Sequence, residues 1–231
     1  MTAVNQTFDF ATALANSVHD MKNSLGMVLG MLDEMATRID PALASQLKNL
    51  PAMQYEGQRV NNQLVQLLAI YRIGEQNYAA QISEVEVSDF LDDCAVRSEL
   101  LLASRGIAIE VDCDPCLIGF FDPELVFGVI NNVINNAYRY AQSKIRLSAE
   151  MTEAQCLRMS VDDDRRGYPE AMLCGTGPQQ PTLNFSAGSS GLGLYFSHLV
   201  ASMHRSGARQ GFIECSNQGI EGGGRFSIVL P

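Results

Sequence analysis

From Leu14 onward the apolar positions fall at Leu14, Val18, Met21, Leu25, Val28, Leu32 and Met35, in alternating steps of four and three. That spacing is a heptad seam, and it predicts one helix packed along another. The pattern relaxes at Ile39-Asp40-Pro41, where proline disfavours helical geometry in the residue before it. Beyond the linker PALASQLKNLP, Val60, Leu64, Leu67 and Tyr71 repeat the four-three-four spacing as far as about Gly74. Two such helices form a hairpin. Its seams are buried best when a second copy completes a four-helix bundle, so the pattern predicts a homodimer.

From about Val85 the texture turns to mixed helix and strand. Ser88 is placed to cap a helix through DFLDDCAVRSELLLASR, followed by a strand-like GIAIEVDC and a helix-prone DPELVFGVINNVINNAYRYAQ. KIRLSAE and CLRMSVD alternate as strands do. GYPEAMLCGTGPQQPTLNFSAGSSG has no period and reads as a long loop, a feature that in a compact domain is usually functional. It leads into a Gly-rich helix start, GLGLYFSHLVASMH, and the chain closes on strand signals in GFIECS and GRFSIVLP.

Composition narrows the function classes. With 46% hydrophobic residues the 231-residue chain can build packed cores, and its net charge of −10 disfavours nucleic acid as a partner. No apolar run reaches the roughly 18 to 20 residues of a membrane span, and MTAVNQTFDF lacks a leader's basic and apolar regions. The expectation is a cytoplasmic protein whose sensor, if it serves a sensory pathway, is on another chain. The six cysteines lack framework spacing and read as small packing residues; CDPC at Cys113 to Cys116, without a second ligand pair, is poor support for zinc.

Four stretches could carry chemistry. In HDMKNSL, His19 and Asn23 share a helix face that the seam leaves exposed, and Asp20 could hold the ring tautomer while the other nitrogen attacks phosphorus. A surface histidine with a helix charge pair is the plain alternative. In NNVINNAYRYA, Asn132 and Asn136 present two amide oxygens on one face, which suits magnesium shared with phosphate; Arg139 could reach phosphate and Tyr140 could stack on a base. In VDDDRRGYP, a strand ending in acid and turning on Gly167 could offer a carboxylate to an exocyclic amine, or could be a charged turn. In GSSGLGL, glycines at a helix N-terminus expose N–H groups to phosphate.

In this order, the four stretches resemble the sensor histidine kinases of two-component signalling, from about residue 10 to residue 231. HDMKNSL is similar to the family's H box, NNVINNAYRYA to the N box, VDDDRRGYP to the D-x-G-x-G box and GSSGLGL to the second glycine box. The resemblance implies an α+β chain: a dimerisation and histidine phosphotransfer hairpin over residues 1–80 that forms a dimeric four-helix bundle, then a GHKL-type ATP-binding domain over residues 81–231, a two-layer sandwich of mixed sheet with helices on one face. It makes His19 the phospho-acceptor, Asp20 its base and Asn23 the residue that positions water to dephosphorylate a partner. Asn136 would hold Mg2+, with Asn132 beside it. Arg139, Tyr140, Asp163, Gly167, Ser190, Gly191, Leu192 and Gly193 would contact ATP, with Asp163 reading the adenine amino group. The phosphoryl group would pass to an aspartate on a response-regulator receiver domain.

The sequence also departs from the family pattern. Ser24 stands at the usual Pro, Arg165 at the first Gly of D-x-G-x-G and Ser189 at the first Gly of the second box, and the aromatic F box is faint in LNFSAG. These departures support a rival expectation: a non-catalytic histidine phosphotransfer or docking protein with a degenerate nucleotide site.

Overall fold

The computed structural model describes residues 10–38, 50–74, 79–173 and 191–231. The chain divides into two compact units, Met1–Glu75 and Gln76–Pro231.

In the first unit, helix α1 (Phe10–Arg38) packs along helix α2 (Leu50–Gly74). The heptad seam splits between two surfaces. Val18 is buried and Leu25 and Leu32 are half-buried, whereas Met21, Val28 and Met35, also seven apart, are about half exposed at 55%, 49% and 50%. On α2, Tyr55 and Leu68 are buried while Met53, Val60 and Leu67 are exposed, again every seventh residue. The helix α1 continues through Ser24 without a break. Helix α2 starts at Leu50, inside the stretch expected to be linker. Pro51 fits there because a first-turn residue needs no N–H partner within the helix. No helix among the described residues is long and apolar enough to cross a membrane.

The second unit is built on a five-stranded mixed sheet with strand order β2-β4-β5-β9-β8, from β2 (Ala108–Cys113), β4 (Lys144–Met151), β5 (Leu157–Asp163), β8 (Phe212–Ser216) and β9 (Arg225–Leu230). The β2–β4 pair is parallel and the other pairs are antiparallel. Because strand side chains alternate in direction, one face carries the cross-strand row Val111, Leu147, Val161, Phe226 and Cys215. That face meets helices α3 (Val87–Ala103), α4 (Pro123–Tyr140) and α5 (Leu192–Met203). The other face carries Glu110, Arg146, Asp162 and Arg225 in one row. In that row Arg225 grips Asp162 with two 2.7 Å hydrogen bonds, from Nε and Nη2.

Two short antiparallel strand pairs add to the strands expected from sequence. β1 (Ser83–Glu86) pairs with β3 (Ile118–Phe121), and β6 (Arg205–Ser206) with β7 (Arg209–Gln210). The first of them displaces the expected cap of α3. The helix begins at Val87, so Ser88 lies inside its first turn, and no side chain caps it. Instead β1 runs straight into the helix, and the Val87 N–H donates to the Leu117 carbonyl at 2.9 Å.

The expectation that cysteines are packing residues holds for Cys94 and Cys215, which are buried; burial pushes the Cys94 thiol up to about 12. It fails for Cys116, which is exposed. Cys174 lies outside the described residues. Among the described residues no group of three or more His, Cys, Asp or Glu side chains is placed to hold a metal ion.

Candidate phosphoryl-acceptor and nucleotide sites

On α1 the sequence HDMKNSL places His19 and Asn23 one turn apart, with Asn23 Nδ2 3.3 Å from His19 Nδ1. Asp20 Oδ1 lies 3.8 Å from the same nitrogen, too far for a hydrogen bond. The His19 and Asp20 side chains are 54% and 84% exposed. Both described contacts engage Nδ1, so Nε2 is the nitrogen left for an incoming electrophile.

In the second unit, Asp122 sets the start of α4. Its Oδ1 accepts from the N–H groups of Glu124 (3.1 Å) and Leu125 (3.0 Å), with Pro123 preorganised in the first turn. Helix α4 then meets α5 in antiparallel register: Gly128 lies against Phe196, and Asn132 against Gly193. A Cβ on Gly128 would sit 3.3 Å from the Phe196 ring, and one on Gly193 would sit 2.5 Å from Asn132 Nδ2. Glycine at these two positions is what lets the asparagine helix approach the first turn of α5. Gly191, at φ 63°, begins α5 with no side-chain cap. The first turn of α5, at Gly193, thus lies against Asn132, and a helix start with its unpaired N–H groups suits an anion.

Asn136 is exposed one turn beyond half-buried Asn132. Arg139 and Tyr140 follow at the end of α4, with the Arg139 guanidinium 5.6 Å from the Tyr140 ring centre. A different arginine reaches the same ring: the Arg165 guanidinium is also 5.6 Å from it.

Arg165 belongs to the turn after β5, which is fixed at both ends. Asp164 accepts from the backbone N–H groups of Gln142, Ser143 and Lys144 at 2.7, 2.8 and 3.0 Å. Burial pushes its carboxyl up, but the bonds from Ser143 and Gln142 outweigh burial and hold it below the usual range. At the other end Tyr168 donates its N–H to Asn217 Oδ1 at 2.6 Å and accepts from Asn217 Nδ2 at 3.2 Å. Gly167, at φ 80°, turns the chain between these anchors. Asp163 closes β5; its Oδ1 accepts from the N–H groups of Arg165 (3.0 Å) and Gly224 (3.2 Å). Its Oδ2 is ion-paired to Arg165 Nε at 3.1 Å. Burial raises the Asp163 pKa, and the Arg165 cation opposes that rise.

The structure therefore brings Asn132 and Gly193 together, and in the same unit brings Asp163, Arg165 and Tyr140 together. Ser189, Ser190 and the faint LNFSAG box lie outside the described residues. Sequence reasoning missed Gly128, Asn217, Tyr168 and Gly224. Of these, only the GGGR run at Gly224 carried a signal, as a glycine cluster before a strand.

Residues 121–231 match the family of histidine kinase-, DNA gyrase B- and HSP90-like ATPases. The sensor protein CzcS of Cupriavidus metallidurans is 24% identical over 223 residues, covering 94% of this chain and 45% of that protein. The sensor histidine kinase CpxA of Escherichia coli is 24% identical over 229 residues, covering 95% of this chain and 47% of its own. The chain thus spans about half the length of these curated relatives. Among solved structures, full-length ShkA in complex with AMPPNP superposes with a TM-score of 0.64 at 19% identity, covering 95% of this chain and 45% of that one. The histidine kinase AdeS of Acinetobacter baumannii gives 0.60 at 18% identity, covering 92% and 96%. Residues 121–231 thus carry a domain of the histidine kinase-, DNA gyrase B- and HSP90-like ATPase family, and the chain as a whole is similar in sequence and fold to two-component sensor histidine kinases.

Proposed function

We propose that the chain is an ATP-dependent protein-histidine kinase, with residues 1–80 as a homodimeric phosphotransfer hairpin and residues 81–231 as the catalytic domain. The observation that supports this reading most directly is the seating of Asn132 against Gly193, which brings a side-chain amide onto the first turn of α5. Amide oxygens from Asn132 and Asn136 fit a magnesium ion that arrives with phosphate, because the ligand then supplies the negative charge. Bound magnesium would neutralise charge on the phosphate oxygens. Gly191, Leu192 and Gly193, with Ser190 before them, cradle the phosphates; Arg139 adds a cation, Tyr140 an aromatic surface, and Gly167 shapes the turn that presents Asp163 to the base.

His19 Nε2 attacks the γ-phosphorus, the bond to the bridging oxygen breaks and ADP leaves. Asp20, beside Nδ1, takes the ring proton. The phosphoryl group then passes to an aspartate on a response-regulator receiver domain, and Asn23 orients water when the partner is dephosphorylated. The reaction takes place in the cytoplasm. Incubation with γ-labelled ATP and magnesium tests this reading: acid-labile label on the wild type and none on His19→Ala is expected, and equal label on both would refute it. The ion pair between Arg165 and Asp163 favours a second reading, in which His19 is charged by another protein and the nucleotide site is degenerate.

A further inference from the structure

We infer that Arg165 occupies the base subsite of the nucleotide pocket and removes its selectivity for adenine. The inference rests on the reading of Asp163 as the base-contacting carboxylate. Asp163 has little left to offer a ligand: Oδ1 already accepts from two backbone N–H groups, and Oδ2 faces the guanidinium. An exocyclic amine must displace that cation, giving up an ion pair for a hydrogen bond from an uncharged donor.

The aromatic space is taken as well. The Arg165 guanidinium lies 4.0 Å from the Tyr168 ring centre and 5.6 Å from that of Tyr140, so it stacks where a purine would. Its side chain is only 14% exposed. The surroundings are shaped to it: a Cβ at Gly224 would come within 3.0 Å of Arg165 Nε and of Tyr168 Cε2. The backbone that carries the arginine is pinned by Asp164 and by Asn217. Arg165 is thus a built part of the pocket. The phosphate side, at Asn132 and Gly193, is untouched by it, so a nucleoside triphosphate is held through its phosphates and its base is not read.

Calorimetric titration of the full chain with Mg-ATP and with Mg-GTP tests this. The wild type is expected to bind the two within about threefold of each other. Arg165→Gly should bind ATP at least tenfold more tightly than the wild type and at least tenfold more tightly than GTP. Arg165→Lys, which keeps the charge without the planar stack, should fall between them. Arg165→Ala serves in place of the glycine variant if thermal melts show that glycine unfolds the turn. A wild type that prefers ATP tenfold over GTP would overturn the inference, as would variants that bind ATP no better than the wild type. If Arg165→Gly binds ATP tightly yet leaves His19 unlabelled, the kinase reading fails and the role of Arg165 stands.

Discussion

The backbone N–H of Asp122 donates to Nε2 of His204 at 3.0 Å, and this bond ties the start of α4 to the end of α5. Because Nε2 accepts, Nδ1 must carry the proton, and it donates to the Val200 carbonyl at 2.8 Å. Asp122 caps α4 with Oδ1 and holds the Gln81 N–H at 2.8 Å with Oδ2. One residue pair thus sets the antiparallel register that places Asn132 against Gly193.

The pair makes stability depend on pH. Burial is the main cause that holds the His204 pKa below its ordinary value, against the Val200 bond and the nearby Asp122 carboxylate, which favour the cation. The unfolded chain therefore takes up the proton first as pH falls. Stability should be complete above about pH 6.5, the ordinary histidine value, and should fall below it until the folded-state pKa is reached. His204→Ala, which orphans the Asp122 N–H, should cost about 2–3 kcal/mol at neutral pH and flatten this dependence. Urea midpoints between pH 5 and 8 would check both, and an unchanged slope would refute the assignment.

The Asp162–Arg225 bridge should be worth more as a pair than as parts. Asp162 is 1% exposed and Arg225 34% exposed. Arg225→Met strands a buried carboxylate and should cost about 2–3 kcal/mol, discounted for the arginine's exposure. The double variant with Asp162→Leu should recover most of that loss. A double-mutant cycle in urea would show this as a coupling above about 1 kcal/mol.

Gly193→Ala should push the Asn132 amide aside, since a Cβ there would meet Nδ2 at 2.5 Å. The amide is the far end of a flexible side chain, so the stability change should stay under about 1 kcal/mol. Magnesium-dependent ATP binding, measured in the Arg165→Gly background, should weaken about tenfold or more. Unaltered binding would mean that Asn132 does not face the phosphates.

Val28→Asp with Met35→Asp places charge on the apolar stripe that α2 leaves uncovered. Charges in a bundle core are strongly unfavourable, so sedimentation should show the wild type as a dimer and the variant as a monomer. A dimeric variant would place the subunit contact elsewhere.

The sequence by itself determined the helices and most of the sheet, because heptad spacing, strand alternation and an Asp-Pro helix start are local signals. It also set His19 on an exposed helix face and named the stretches that the fold gathers around Asn132 and Asp163. It did not reveal β1 and β3, four residues each, because a short pair is stabilised by its neighbour and not by its own pattern. The identity of Arg165 was plain, but its effect was not. Only the tertiary structure decided that the guanidinium turns back onto Asp163 and lies between Tyr140 and Tyr168, since that depends on Asn217 and Gly224, 52 and 59 residues further along the chain.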